Sequence, residues 1–157
     1  MRRTLVACWP ALACAFAFST SARAAPAADV CALLTSAQAS AALGGSVAAG
    51  KALTATVCQW EQSGKPGDEL LKLDINIVTV ERFNRTKSVS LGTITGAGGL
   101  GDEAYYATMK TGRTTLSTLN VKKGSAAVII RVWGGTKPVE EYQAKEKAVA
   151  QAILPKL

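Results

Sequence analysis

The chain has 157 residues, of which 18 are basic and 11 acidic, and its formal net charge is +7. The basic residues are scattered, and without a basic run we expect no nucleic-acid partner. Because the sequence contains no histidine, the commonest general base and metal ligand is missing. We therefore expect no catalytic residues, no metal site and no bound cofactor.

Residues 1–24 predict a cleaved secretory signal peptide. Arg2 and Arg3 form a short basic segment, residues 5–18 are uncharged and mostly apolar, and Ala22-Arg23-Ala24 matches an A-x-A cleavage site. The apolar run is too short for a finished transmembrane helix, and no second long apolar segment follows. Cleavage after Ala24 would leave one domain over residues 25–157, periplasmic or secreted, with 15 basic residues, 11 acidic residues and a net charge of +4.

Two alternatives place the chain at a membrane. The uncleaved segment could remain as an anchor, or a cysteine within it could be lipidated. Cys8 lies too close to the start to leave an apolar segment before it, and a lipidated Cys14 would be followed by apolar residues where a polar tether is expected. We therefore favour cleavage near Ala24, with no stable membrane span and no lipid anchor.

Cleavage leaves two cysteines, Cys31 and Cys58. Paired thiols persist as disulfides in the oxidising compartments that exported proteins enter, and two cysteines allow only one intramolecular pairing. The alternative is a redox or metal-binding pair, but the sequence has no C-x-x-C motif. We predict a structural disulfide between Cys31 and Cys58.

The first part of the domain predicts a short helix followed by a hairpin. Asp29 can cap a first turn, Thr35 to Gln38 form a capping box, and Gly44-Gly45 ends the alanine-rich helix that follows. Strand-like residues run from 47 to 60. A clear strand then alternates apolar and polar residues: Leu71, Lys72, Leu73, Asp74, Ile75, Asn76 and Ile77. If residues 57–61 pair with this strand, the disulfide ties the first helix to the sheet.

The second part predicts a short polar helix over residues 81–88, a glycine-rich connection to Gly101, and three strands. These strands cover residues 104–109, 114–122 and 126–133. A final helix starts at Pro138 and places Val139, Tyr142, Val149 and Ile153 near one face. Runs of antiparallel strands flanked by helices predict the α+β class, with an antiparallel sheet of about five to six strands between N-terminal and C-terminal helices.

The stretch from Gly96 to Gly101 matches G-x-G-x-x-G, which can mark a dinucleotide-binding loop. Here Asp102 and Glu103 place two carboxylates where phosphate would approach, and no acid stands about twenty positions further on. A structural turn is therefore the favoured interpretation, with Asp102 bonding backbone amides. We expect one of Tyr105 and Tyr106 to pack inward and the other to face solvent, which makes Asp102, Tyr105 and Tyr106 a candidate partner-binding loop.

Four segments occur in the order "CALLTSAQASAALG", "CQW", "GGLGDEAYY" and "LNVKKGSAAVIIRVWG", before a final alanine-rich helix. This arrangement resembles a domain-of-unknown-function family of small exported bacterial proteins, many of them lipoproteins. The resemblance covers nearly the whole mature chain. It implies an α+β sandwich similar to the fold of the extrinsic P-subunit of photosystem II, and it brings no established activity. The chain differs from the lipoprotein members because it lacks a convincing lipobox.

The sequence favours an exported, non-enzymatic binding or accessory protein whose partner is another exported protein. The partner would bind a sheet face or the candidate loop. One alternative is an inhibitor or immunity-type protein directed against an exported hydrolase. The other is a small-ligand carrier or a histidine-free enzyme, which would need a carboxylate pair of the glycosidase kind. The available acids for such a pair are Asp68, Glu69, Asp74, Asp102 and Glu103.

Overall fold

The structure, a computed structural model, describes residues 29–64, 66, 69–111 and 114–157, and only the backbone of residues 114 and 115. The predicted signal peptide, the cleavage site at Ala24 and Cys14 lie outside the described residues. So do Asp68 and the predicted turn at Gly112-Arg113.

The described chain has the predicted α+β class. The helices are α1 (Ser36–Leu43), α2 (Val80–Val89) and α3 (Val139–Ile153), with short 3-10 turns at Val30–Leu33 and Leu154–Lys156. The strands are β1 (Lys51–Thr54), β2 (Val57–Glu61), β3 (Lys72–Val78), β4 (Thr93–Gly96), β5 (Glu103–Thr111), β6 (Thr114–Lys123) and β7 (Ala126–Trp133).

Within the described residues, seven strands form one sheet in the order β1-β2-β3-β7-β6-β5-β4, and each neighbouring pair is antiparallel. Two meanders, β1 to β3 and β4 to β7, therefore join through the pairing of β3 with β7. The predicted hairpin is confirmed, since Cys58 of β2 pairs with Ile75 of β3. The sheet exceeds the predicted five to six strands because the edge strands β1 and β4 are short. Their side chains are mostly exposed, so no apolar alternation reveals them.

The main core lies between one face of the sheet and the helices α1 and α3, and we name this side the α3 face. Alternation in β3 is as predicted, because Leu73 and Ile75 are buried while Lys72, Asp74 and Asn76 point to the other side. The core also includes Trp60, Leu119, Val128, Ile130, Tyr142, Val149 and Ile153.

The N-terminal turn and α1 are attached to this core by local caps and one covalent bond. Asp29 accepts a hydrogen bond from the Cys31 amide at 3.0 Å, and Thr35 and Gln38 form the predicted capping box. Gly44 ends α1 with a φ of 77°, a conformation that favours glycine. The Cys31–Cys58 disulfide is present, with a Cα–Cα distance of 5.2 Å, and it fixes the first turn to β2.

The opposite side of the sheet, which we name the α2 face, carries a second and smaller core. Phe83 of α2 packs against Tyr105 and Ala127, and the two aromatic ring centroids are 5.1 Å apart. This core covers those parts of β5, β6 and β7 that lie next to the β6–β7 turn. The residues of β2, β3 and β7 beyond α2 remain half-buried or exposed.

Across the ranges given above, no helix has both the length and the apolar character required to cross a membrane.

Candidate functional site

The glycine-rich stretch before Asp102 is a turn fixed against the β6–β7 hairpin. Gly101 has a φ of 57°, and a Cβ there would collide with the Lys122 carbonyl oxygen. The Asp102 amide donates to that same oxygen at 2.8 Å, and Asp102 Oδ2 accepts from the Gly124 amide at 2.6 Å. The carboxylate of Asp102, although exposed, thus accepts a hydrogen bond from the backbone, as a turn residue would.

Both tyrosines of the candidate loop pack against helices. The Tyr105 hydroxyl donates to the Phe83 carbonyl oxygen on the α2 face, and the Tyr106 hydroxyl donates to the Gln143 carbonyl oxygen on the α3 face. Tyr105 is buried, as predicted for one of the pair, whereas Tyr106 is half-buried because its hydroxyl group reaches α3 and does not point to solvent. Burial raises the pKa of Tyr105 to about 12 and also raises the pKa of Tyr106.

Three of the candidate acids, Asp74, Asp102 and Glu103, each have hydrogen-bond partners of their own, and none of these partners is another acid. Glu103 contacts Lys87 at 2.7 Å and Lys122 at 3.0 Å, and hydrogen bonds from these two lysines lower its pKa. Asp102 holds the hairpin turn, and Asp74 lies in a separate cluster on β3. Nor do the described residues contain a group of three or more histidine, cysteine or acidic side chains that could hold a metal ion.

Asp74 is the centre of a polar cluster on the uncovered part of the α2 face. Its Oδ1 accepts from Gln59 Nε2, and its Oδ2 accepts from Arg131 Nη2 and Trp133 Nε1, each at 2.8 Å. These residues come from β2, β3 and β7, which are adjacent in the sheet, so the register places them side by side. The Asp74 side chain is 13% exposed and that of Arg131 is 44% exposed. The carboxylate is therefore largely buried, while the guanidinium group is accessible to solvent.

The indole ring of Trp133 makes cation–π contacts with two basic side chains next to the Asp74 cluster. Arg131 Cζ lies 5.5 Å from the ring centroid and Lys72 Nζ lies 5.3 Å from it. Lys72 also contacts Glu61 at 3.1 Å. A guanidinium that is bonded to a carboxylate on one side and packed on an indole loses rotamer freedom, so the position of Arg131 is restricted by Asp74 and Trp133.

A groove runs between α2 and this cluster. Its middle part has a volume of about 210 Å³ and includes Asn76, Ile129 and Arg131. One end, of about 390 Å³, includes Asn76 and Arg82, and the other, of about 210 Å³, includes Arg131 and Leu91. Neighbouring parts share lining residues, Asn76 on one side and Arg131 on the other, so the three parts lie in a row beside α2. We name this channel the α2 groove, lined by Arg82, Thr86 and Leu91 on the helix side and by Asn76, Thr118 and Arg131 on the sheet.

The two ends of the α2 groove differ in chemistry. Arg82 is exposed at one end, on a helix whose charged residues are Glu81, Arg82, Arg85 and Lys87. Leu91 is 96% exposed at the other end and Met109 beside it is 42% exposed. Leu91 and Met109 thus form an exposed apolar pair at this end of the α2 groove.

Beneath the Leu91 end, a buried carboxyl group fills a gap in the sheet. The pairing of β6 with β7 stops at Leu119 and Ile130, although both strands continue. Glu146 of α3 reaches this gap: Oε1 accepts from the Val132 amide at 3.2 Å, and Oε2 lies 3.0 Å from Ser117 Oγ. Glu146 is 0% exposed, and burial raises its pKa to about 8.

The sequence prediction missed the main members of this site. The sequence marks Asp74 only as one of several acids and places Arg131 and Trp133 only as part of a strand. Position offered one signal for Glu146, since it stands four residues after Tyr142 and three before Val149 on the apolar side of α3. Nothing local marks Gln59 and Arg131 as neighbours of Asp74, because their proximity depends on strand order.

No protein-family model, no curated protein and no solved structure matches this chain significantly. The resemblance to an exported family and to the photosystem II P-subunit fold therefore stays a prediction. What the site does is inferred from its own geometry.

Proposed function

We propose that this chain is an exported, non-enzymatic binding or accessory protein that holds another exported protein in the α2 groove. The observation that carries the proposal is the fixed position of Arg131, held by Asp74 and Trp133 at the border of an open groove. A rigid, half-exposed arginine beside an aromatic ring is typical of residues that dominate protein interfaces.

Two features support the exported part of the proposal. Residues 1–24 have the layout of a signal peptide, and the Cys31–Cys58 disulfide requires an oxidising compartment to persist. The intact mass of the protein recovered from its host should therefore correspond to a chain that begins at Ala25 and lacks two hydrogens. A mass that corresponds to a chain beginning at Cys14 with an added acyl group would show that the protein is a lipoprotein, and would contradict the proposal that it is released.

The groove can be tested by filling it. Asn76 lies in the middle of the groove on β3, and Asn76→Trp places a large ring there in a strand position that accepts aromatic residues. Gln151→Trp makes the same change at an exposed position of α3, away from the groove, and is the matched control. Each purified variant is used to capture proteins from an extract of the host's exported proteins.

We expect the wild type and Gln151→Trp to retain the same partner, and Asn76→Trp to lose it while its unfolding midpoint stays within a few degrees of the wild type. Equal recovery by all three proteins would show that the partner binds elsewhere. Recovery of no partner by the wild type would contradict the binding function itself.

A further inference from the structure

We infer that the occupant of the α2 groove is an extended peptide segment that carries an acidic residue four or five positions from a large apolar residue. This inference rests on the proposed binding function and names the chemistry of the partner. It follows from the charge at one end of the groove, the apolar surface at the other, and the distance between them.

The acidic residue belongs at the Arg82 end. In the middle of the groove the charge of Arg131 is already compensated by Asp74 at 2.8 Å, so that region attracts neither sign strongly. At the Arg82 end, α2 presents Arg82 and Arg85 three residues apart, on neighbouring exposed positions of the helix. With Glu81 and Lys87 the charged residues of α2 are one acid and three bases, so the helix is net positive and favours a carboxylate placed there.

The apolar residue belongs at the Leu91 end. Leu91 and Met109 are exposed, and Leu116 and Ala107 line the same part of the groove. Burying these side chains against an apolar partner would remove their surface from water, which favours binding.

The spacing follows from the helix. The chain between residues 82 and 89 is helical and rises about 1.5 Å per residue, and Ser90 is extended. The Cα atoms of Arg82 and Leu91 are therefore separated by about 15 Å along the helix axis. An extended peptide covers this distance in four or five residues at about 3.3 Å each.

The shape of the groove favours a peptide over a small molecule. The groove residues lie on β3, β7, β6 and β5, which are about 4.8 Å apart, so the groove extends across four strands. Small-molecule sites instead enclose most of the ligand surface. Asn76 and Thr118 along the floor carry hydrogen-bonding groups that suit the amides of an extended backbone.

The inference can be tested with a phage-displayed library of random 12-residue peptides, selected on the full mature chain with its disulfide intact. Enriched peptides are synthesised, and their affinity is measured by fluorescence anisotropy. The variants are Arg82→Glu and Leu91→Ser, both at exposed positions where folding should be unaffected. Lys147→Glu, on the exposed side of α3, is the matched charge-reversal control.

We expect enriched sequences with an acid four or five positions from a large apolar residue. Arg82→Glu should weaken their binding at least tenfold, Leu91→Ser about threefold or more, and Lys147→Glu less than twofold. Enrichment of peptides without this pattern, or no enrichment, would overturn the inference. So would wild-type chains that associate through the groove, or that bind anionic vesicles through Leu91.

Asn76→Trp separates this inference from the proposed function. If peptides of another pattern bind the wild type and lose binding to Asn76→Trp, the groove is a binding site and only the partner chemistry is wrong. If Asn76→Trp binds the selected peptides as well as the wild type does, the groove itself is not the site, and both proposals fail.

Discussion

Glu146 explains how the sheet tolerates an interrupted ladder. Where β6 and β7 separate, the Val132 amide has no partner on β6, and a buried amide without an acceptor costs about 1–3 kcal/mol. The Glu146 carboxyl group supplies that acceptor and also contacts the Ser117 hydroxyl. With a pKa of about 8, Glu146 is protonated in the folded protein at neutral pH.

This protonation makes stability depend on pH. The folded-state pKa is raised from 4.5 to about 8, so folding takes up a proton between these values, and the wild type loses stability as pH rises through that range. Glu146→Gln keeps an acceptor for Val132 and a donor for Ser117 but does not titrate. We predict that the variant gains stability relative to the wild type by up to about 3 kcal/mol between pH 5 and pH 7.5, at roughly 1.4 kcal/mol per pH unit.

Urea unfolding at the two pH values measures this difference. Glu146→Leu, which leaves the Val132 amide without its acceptor, should be destabilised by about 2 kcal/mol at pH 5. Parallel stability profiles for the wild type and Glu146→Gln would show that Glu146 is not buried in its neutral form.

Among the elements, the first turn depends most on a covalent bond. The turn at Val30–Leu33 contributes Val30 and Leu33 to the core, yet it is too short to be stable alone. The disulfide fixes it to β2, whose Cys58 is fully buried next to Gly50. Closing the loop between two cysteines 27 positions apart is worth about 3.5 kcal/mol in the chain-entropy model.

We therefore predict that the double variant Cys31→Ala, Cys58→Ala loses at least about 3 kcal/mol of unfolding free energy relative to the oxidised wild type. Urea unfolding with and without a reductant measures the effect of the cross-link. Reductant should lower the stability of the wild type by a similar amount and leave the double variant unchanged. A wild type that unfolds at the same urea concentration in both conditions would contradict a stabilising role for the bond.

Elements with a strong local signal could be predicted from the sequence. The capping box at Thr35 and Gln38, the alternation in β3 and the apolar face of α3 each depend on residues close together in the chain. β4 was not predicted, since it is a four-residue edge strand inside a glycine-rich stretch. The position of Tyr106 could not be predicted, because its contact with α3 joins residues far apart in sequence.

At the scale of the whole molecule, strand order creates the candidate site. The pairing of β3 with β7 joins the two meanders and brings Asp74 beside Arg131. α2, which connects the meanders, lies on the α2 face and forms one wall of the groove. The sequence predicts the β2–β3 hairpin and the strands β5, β6 and β7 but not how the two groups pair, so the groove could not have been located from it.

Position-specific photo-cross-linking in the host tests the central claim, that the α2 groove holds a protein partner. A benzoylphenylalanine replaces Leu91 at the end of the groove or, as a control, Gln151 on α3. We predict one partner adduct from position 91, none from position 151, and loss of the first when Asn76→Trp fills the groove. Adducts of equal yield from both positions, or an adduct at 91 that survives Asn76→Trp, would contradict the account.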